Sequence, residues 1–360
     1  MKYVDEFRSR RDCEHAAREI SRIAGDREIT LMEVCGTHTM ALFRYGIRDM
    51  LPPGIQLLSG PGCPVCVTPN GSIDRAIALA RREEVIIATF GDMTKVPGSS
   101  SSLSAERSRG ADIRIVYSPL HSLKLAEDNP EKMVVFLGIG FETTAPLVAA
   151  TIQEAALRTI GNFTVLCSHR LIPPAISFLL KSGKVSIDGF LLPGHVSAII
   201  GTEPYEFIPL QFGKACVVAG FEPFDIFQSI LMLVKQVSDG KQMVENQYKR
   251  AVRSEGNEHA IQVMEEVFEP CDGEWRGLGV IPESSLRIGD RYADYDAMKI
   301  AVFVEPSKAY PGCICGAILR GEKEPSDCVL FGTTCTPEEP KGPCMVSSEG
   351  TCAAHYKYHR

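Results

Sequence analysis

No stretch of the chain carries the ~18 consecutive apolar residues that a membrane-spanning helix requires. The longest apolar runs, such as Met133 to Gly138, have the length of a strand. Residues 1–21 are charged and helical in pattern and lack the apolar core of a secretory signal, so a cytoplasmic protein is expected. Excess positive charge is missing too. The formal net charge is −7, whereas a nucleic-acid protein needs a basic field to displace counterions from phosphates. No basic amphipathic stretch points to a membrane surface. Three catalytic signatures are also absent. There is no Gly-x4-Gly-Lys-Ser/Thr phosphate loop, no Gly-x-Ser-x-Gly nucleophile elbow, and no Cys-x3-Cys-x2-Cys run of a radical-SAM enzyme.

What the chain has in excess is cysteine, 13 in 360 residues. The odd count, the length and the missing export signal argue against a disulfide framework and for metal or redox use. Otherwise the composition is that of a globular protein with enough apolar material for two or three domains.

From Ile29 to Leu231 one rhythm recurs: an apolar run, a Gly/Pro-rich loop, then often a helical pattern. The runs are Thr30–Val34, Ile55–Leu58, Val85–Phe90, Ile113–Tyr117, Met133–Gly138, Phe163–Cys167, Gly189–Leu192 and Lys214–Ala219. Continuous hydrophobicity suits strands buried on both faces, as in parallel sheets. Helices are expected over Ser72–Arg82, Thr143–Ile160, Pro173–Lys181 and Pro223–Val237. The alternation predicts an α/β fold of two similar parallel-sheet domains, 22–120 and 121–222, each holding four consecutive strands. Region 223–360, with 1–21 packing on it, forms a third, smaller domain. It opens with helices expected near Gly240–Arg253 and Asn257–Phe268. Past Gly273 it becomes loop-rich and needs an external staple.

The cysteines fall into groups. Gly60-Pro61-Gly62-Cys63-Pro64-Val65-Cys66 follows a strand and precedes a helical segment. A thiol at a helix N-terminus feels the positive end of the dipole, which favours the thiolate. Two intervening residues allow a disulfide or chelation of one metal; half of a structural zinc site or two buried thiols is the plainer reading. Cys35-Gly36-Thr37-His38-Thr39 also ends a strand, where ligands bind in open parallel sheets. If the two loops meet, Cys35, Cys63 and Cys66, with His38 nearby, form a soft site for iron, zinc or copper(I). A buried Cys35 and a capping His38 are the alternative. Other strand ends carry Gly91–Gly98, Gly140-Phe141-Glu142-Thr143-Thr144, Cys167–Arg170 and Pro193-Gly194-His195-Val196-Ser197. Glu142 and His195 are placed to exchange protons with a bound species; the plainer role of Thr143 or Thr144 is to cap a helix.

Near the C-terminus come Cys313 and Cys315, then Cys328, Cys335, Cys344 and Cys352, these last separated by six, eight and seven residues. A 4Fe-4S cluster needs four thiolates, and structural zinc favours tighter pairs. Cys328, Cys335, Cys344 and Cys352 are the expected ligands, with Cys313 and Cys315 as substitutes for one or two of them. Cys13, Cys167, Cys216 and Cys271 stand alone and read as packing residues.

The four strand-end motifs built on Cys35, Cys63, Glu142 and His195 closely resemble those of the HypD family, and so does the segment Gly342-Pro343-Cys344-Met345-Val346-Ser347-Ser348-Glu349-Gly350. The likeness runs from about Glu28 to Tyr356. It implies a maturation factor for nickel–iron hydrogenases. Such a protein works with a HypC-type chaperone as the scaffold on which an iron atom receives cyanide and carbon monoxide. A HypE-type protein supplies cyanide, and the Fe(CN)2CO unit passes to the hydrogenase large subunit. By the same resemblance Cys35 helps hold this iron, Cys63 and Cys66 are a redox dithiol beside it, and the C-terminal cysteines carry a 4Fe-4S cluster that supplies electrons. His38, Glu142 and His195 would contact cyanide nitrogen or a partner's tail. Read from the residues alone, two other functions compete: a free-standing iron–sulfur thiol–disulfide oxidoreductase, and a zinc-stabilised binding protein.

Overall fold

All eight apolar runs become strands in a computed structural model that describes residues 5–358. They are β1 (Ile29–Glu33), β2 (Ile55–Ser59), β3 (Val85–Thr89), β4 (Ile113–Ile115), β5 (Met133–Gly140), β6 (Phe163–His169), β7 (Gly189–Pro193) and β8 (Ala215–Ala219). β3, β7 and β8 are buried along their whole length, as their unbroken apolar sequence requires when helices cover both faces. The pairing is parallel throughout. The α/β class with two parallel sheets is therefore as expected.

The grouping of strands is not. One sheet has the order β2-β1-β7-β8-β9, with β9 the short strand Val244–Asn246, and the other β4-β3-β5-β6. The expected split into two sets of four consecutive strands is thus corrected. The chain lays down β1 and β2, leaves to build the whole second sheet, and returns for β7 and β8. Leu31 of β1 pairs with Gly189 of β7, and the Thr30 amide donates to Asp188 Oδ2 at 2.9 Å. Local hydrophobic pattern encodes that a strand exists, not which distant strand it meets.

The helix Pro223–Asp239 shows how sequence sets an element. Glu222 and Asp225 form a capping box, Pro223 takes the first turn, and Gly240 closes the helix at φ 65°. The helix Arg10–Ala24 begins at Ser9, whose side chain accepts the Asp12 amide, and buries Cys13, Ala16, Ala17, Ile20 and Ala24. These two helices pack on each other and on the first sheet, sharing its core with Leu31, Leu191 and Val217.

The expected helix Gly240–Arg253 is absent. Gly240 is already the left-handed stop of the preceding helix, and β9 (Val244–Asn246) then pairs with β8. The helix near 257–268 forms as Glu258–Val267, capped by Asn257. Part of the region expected as loops is a hairpin, β10 (Phe268–Trp275) with β11 (Gly279–Ile288). Beyond it residues 300–314 run without helix or strand, and short turns and one terminal helix, Thr351–Tyr358, carry the cysteines.

Candidate functional site

The strand-end loops of both sheets converge on one cleft of about 450 Å³. Its wall includes Cys35 and Thr37 after β1, Gly62 and Pro64 after β2, Phe141, Thr143 and Thr144 after β5, His195 after β7, and Glu349 from the C-terminal region. The position follows from fold: the carboxyl ends of parallel strands leave a crevice where the loops diverge.

Cys35 occupies the N-cap position of the helix Gly36–Arg44. The Gly36 amide donates to Gly62 O at 2.9 Å, which locks the two cysteine loops together. A Cβ on Gly62 would run into the Cys35 and Val34 backbone, so only glycine allows this approach. Cys63 and Cys66 are joined as a disulfide. Both are buried and sit behind the cleft wall, whereas Cys35 lines it as a free thiol. Burial, reinforced by the Glu349 and Glu33 carboxylates, pushes the Cys35 thiol up to about 12. It stays protonated until a soft cation displaces the proton.

Beneath Cys35 lies Glu33, fully buried. Its Oε2 accepts the Cys35 amide at 3.0 Å and its Oε1 accepts the Thr39 hydroxyl. Burial lifts this carboxyl to about 7 against those hydrogen bonds. Neither Glu33 nor Glu349 was singled out in the sequence. Glu349 Oε1 accepts the Thr37 hydroxyl at 2.6 Å and brings the cleft its one acid. Glu33 ends an apolar run, and only its adjacency to Cys35 marks it. Glu349 lies inside the Gly342–Gly350 motif without a pattern that sets it apart.

The other expected side chains divide. His195 lines the cleft, stacked on Phe221 at 3.9 Å, and burial depresses its pKa. His38 stacks on the same ring at 4.8 Å but is fully buried and turned from the cleft. Its Nε2 lies 3.2 Å from Ala219 O and 3.0 Å from Gly220 O, and burial pulls it down to about 4. The expectation that His38 meets a bound species is thus corrected to a role in bracing β8. Glu142 is also off the cleft. Its Oε1 accepts the Ile172 amide at 2.8 Å, its Oε2 has no partner, and burial raises it to about 7. It caps the helix Ile172–Ser182 from a neighbouring strand. Thr144 takes the N-cap position of the helix Ala145–Leu157.

The six C-terminal cysteines gather, as their crowding in the sequence suggested. A narrow cavity is lined by Cys313, Cys315, Cys328, Cys335 and Cys352. Cys344 lies off that wall, fully buried, with the Cys315 and Cys352 thiols beside it. The Cys313 and Cys315 sulfurs are 3.1 Å apart. A Cβ on Gly342 would stand 2.6 Å from the Cys315 sulfur and 2.8 Å from that of Cys313, so glycine opens room for the thiols. Among the described residues no three His, Cys, Asp or Glu side chains are gathered to hold a single metal ion. A lone ion would draw its thiolates to about 2.3 Å from one point; an iron–sulfur cluster is a larger body with four thiolates at its edges. A cage of five wall sulfurs with no carboxylate or imidazole among them fits that soft group.

The comparisons with known proteins agree along the whole chain. The HypD model, described as "Hydrogenase formation hypA family", matches residues 11–359. The chain belongs to the HypD family. It is 52% identical to the hydrogenase maturation factor HypD of Rhizobium leguminosarum bv. viciae, over all of this chain and 96% of the relative. It is 50% identical to HypD of Cupriavidus necator, over 100% and 98% of the two chains. For HypD of Escherichia coli K12 the figure is 44%, over 100% and 99%. The motifs that carried the resemblance to HypD are the ones that wall the cleft and enclose the cysteine cavity. No helix among the described residues is long and apolar enough to cross a membrane.

Proposed function

We propose that this protein is a hydrogenase maturation factor and, with a HypC-type chaperone, the scaffold on which an iron atom acquires its cyanide and carbon monoxide ligands. One observation carries the reading: a free thiol, Cys35, faces a cleft large enough for a partner segment and is hydrogen-bonded loop to loop with the Cys63–Cys66 disulfide. Iron is the cargo. Cys35 holds it from this chain, and the partner completes its coordination. His195 and Glu349 flank the same cleft and are placed to orient the incoming groups.

Releasing cyanide from a thiocyanate-type sulfur consumes two electrons and two protons and leaves a thiol. A Cys63/Cys66 dithiol closing to its disulfide provides both, and the disulfide is the spent state. The donor is a HypE-type protein, and the finished Fe(CN)2CO unit leaves with the chaperone for the hydrogenase large subunit. Cys315, Cys328, Cys335 and Cys352 on the cavity wall would hold a 4Fe-4S cluster. Cys344 is set off the wall, and Cys313 is the more exposed member of the close Cys313/Cys315 pair. When bound, the cluster supplies single electrons at low potential.

The test is infrared spectroscopy on the anaerobically purified complex with the chaperone, where iron-bound cyanide and carbon monoxide absorb in an otherwise empty window. Cys35→Ala should remove those bands and keep the visible absorbance of the C-terminal cluster. Bands that persist in Cys35→Ala would overturn the assignment. The disulfide is also compatible with a free-standing thiol oxidoreductase. That reading has no use for Cys35, whose free thiol lines the cleft beside the disulfide loop, whereas the scaffold reading calls on it.

A further inference from the structure

A second cavity, about 160 Å³, opens where the first sheet meets the cysteine-bearing region. It shares no wall residue with the cleft and a single one, Ile318, with the cysteine cavity. Arg48, Ser59 and Phe43 enter from the sheet side, and Lys323, Thr351 and His355 from the C-terminal side. Arg48 is the unusual member. Its Nη1 donates to Leu57 O at 2.6 Å, its Nη2 reaches Ser59 Oγ only at 3.4 Å, and its guanidinium lies 4.8 Å from the Phe43 ring centre. Its Nε is buried without a partner. Among the described residues no carboxylate bonds to this guanidinium, although Glu33, Glu324 and Asp49 act on it through space. Asp49 and Glu324 stand on the same wall, yet this desolvated cation has an unmet donor and no hydrogen-bonded counter-charge. The free edge, Nε beside Nη2, is the fork that receives two oxygens of one anion.

We infer that this cavity binds a small oxyanion, a carboxylate, bicarbonate or phosphate group, with Arg48 as its charged anchor. The volume suits an anion of a few heavy atoms, since a water takes about 30 Å³. Glu324 does not compete for the fork, because its carboxylate caps its own turn, Pro325–Asp327. Asp49 is exposed. The site is tied to Cys35 through Glu33. The Glu33 carboxylate acts on Arg48 through space, and it accepts the Cys35 amide. An occupant would therefore hold the far end of the network that fixes the Cys35 loop.

The experiment is thermal unfolding of the full-length, anaerobically purified protein titrated separately with phosphate, acetate and bicarbonate, with chloride as the control at constant ionic strength. At least one oxyanion should raise the midpoint by about 2–3 °C and saturate, and the arm that does so identifies the anion. Arg48→Met should abolish the rise. Arg48→Lys keeps the charge but loses the fork, and should shift the half-saturating concentration upward by about tenfold. No saturable rise in any oxyanion arm, or an equal rise with chloride, overturns the site. So does an unchanged titration in Arg48→Lys, which remains decisive if Arg48→Met does not fold.

Discussion

Glu142 concentrates a residue-scale consequence of the fold. One carboxylate oxygen caps a helix and the other is buried with no partner, so the neutral form is favoured in the folded chain and the group titrates near 7. Unfolded, it ionises in the ordinary carboxylate range. Between about pH 4.5 and 7 the folded state keeps a proton the unfolded chain has lost, so stability falls as pH rises through that window. The full cost, on the order of 3 kcal/mol, is present above it. Glu33, also near 7, acts in the same direction. Buried His38 and His169, drawn down to about 4 and about 3, act oppositely and cost stability as pH drops below about 6.5. Glu142→Gln isolates one term. Between pH 5 and pH 8 its urea-unfolding free energy relative to wild type should move in its favour by about 2–3 kcal/mol. A difference that stays constant would show that Glu142 has a charge partner in solution. Gly36 tests the cleft instead. A Cβ there would stand 2.6 Å from Glu349 Cβ and 2.8 Å from its carbonyl oxygen. Gly36→Ala should cost about 1–3 kcal/mol in unfolding free energy and separate Thr37 from Glu349, lowering iron retention by the chaperone complex.

At the scale of elements, the hairpin β10–β11 is pinned to the second sheet in part by one buried side chain. Arg170, just past β6, donates from Nη1 to Ser285 Oγ at 2.6 Å and from Nη2 to Glu274 O at 2.8 Å. Arg170→Met keeps much of the apolar stem and deletes these bonds, leaving buried acceptors unmet. Unfolding should become easier by about 2–4 kcal/mol. Amide exchange should rise in 268–288 and not in the first sheet; equal protection in both proteins would refute the pin. The hairpin also marks where the sequence was hard to read. β1 to β8 each announce themselves as an apolar run, so these eight were legible, whereas the parallel strand β9, Val244-Glu245-Asn246, carries no such signal. β10 alternates buried and exposed residues and contains Pro270 and Gly273, which weakens a strand signal. The stretch after Gly240 looked helical because its charged residues suit either state, and only the left-handed glycine betrays the break. The cleft cysteines were legible because Gly/Pro loops flank them. The inward turn of His38 was not, because it depends on carbonyls of β8, about 180 residues away.

The whole molecule joins two regions of unequal self-sufficiency. The two sheets carry continuous apolar cores. Residues 312–358 have one helix of more than five residues, and their buried side chains are few: cysteines, small aliphatics and the polar Ser347, Thr351 and His355. On the proposed reading such a segment holds its shape through a bound cluster. Yet it reaches both functional regions. Glu349 bonds Thr37 in the cleft, the helix Thr351–Tyr358 packs on the helix Gly36–Arg44, and the turn Pro343–Met345 packs on the helix Pro64–Val67, which holds Cys66. On the proposed reading, removing the cluster with a chelator under anaerobic conditions should therefore do more than bleach the visible absorbance. Amide exchange should rise across 312–358 and then in 36–44 and 64–67, while β5 and β6, remote from that segment, keep their protection. Cys335→Ala, which removes a proposed ligand on the cavity wall, should reproduce the pattern without chelator. Cys344→Ala should retain the absorbance, because its sulfur lies off the wall. If Cys344→Ala loses the absorbance and Cys315→Ala keeps it, Cys344 is a ligand and the wall assignment is wrong. If exchange rises only within 312–358, the region carries the cluster without bracing the cleft.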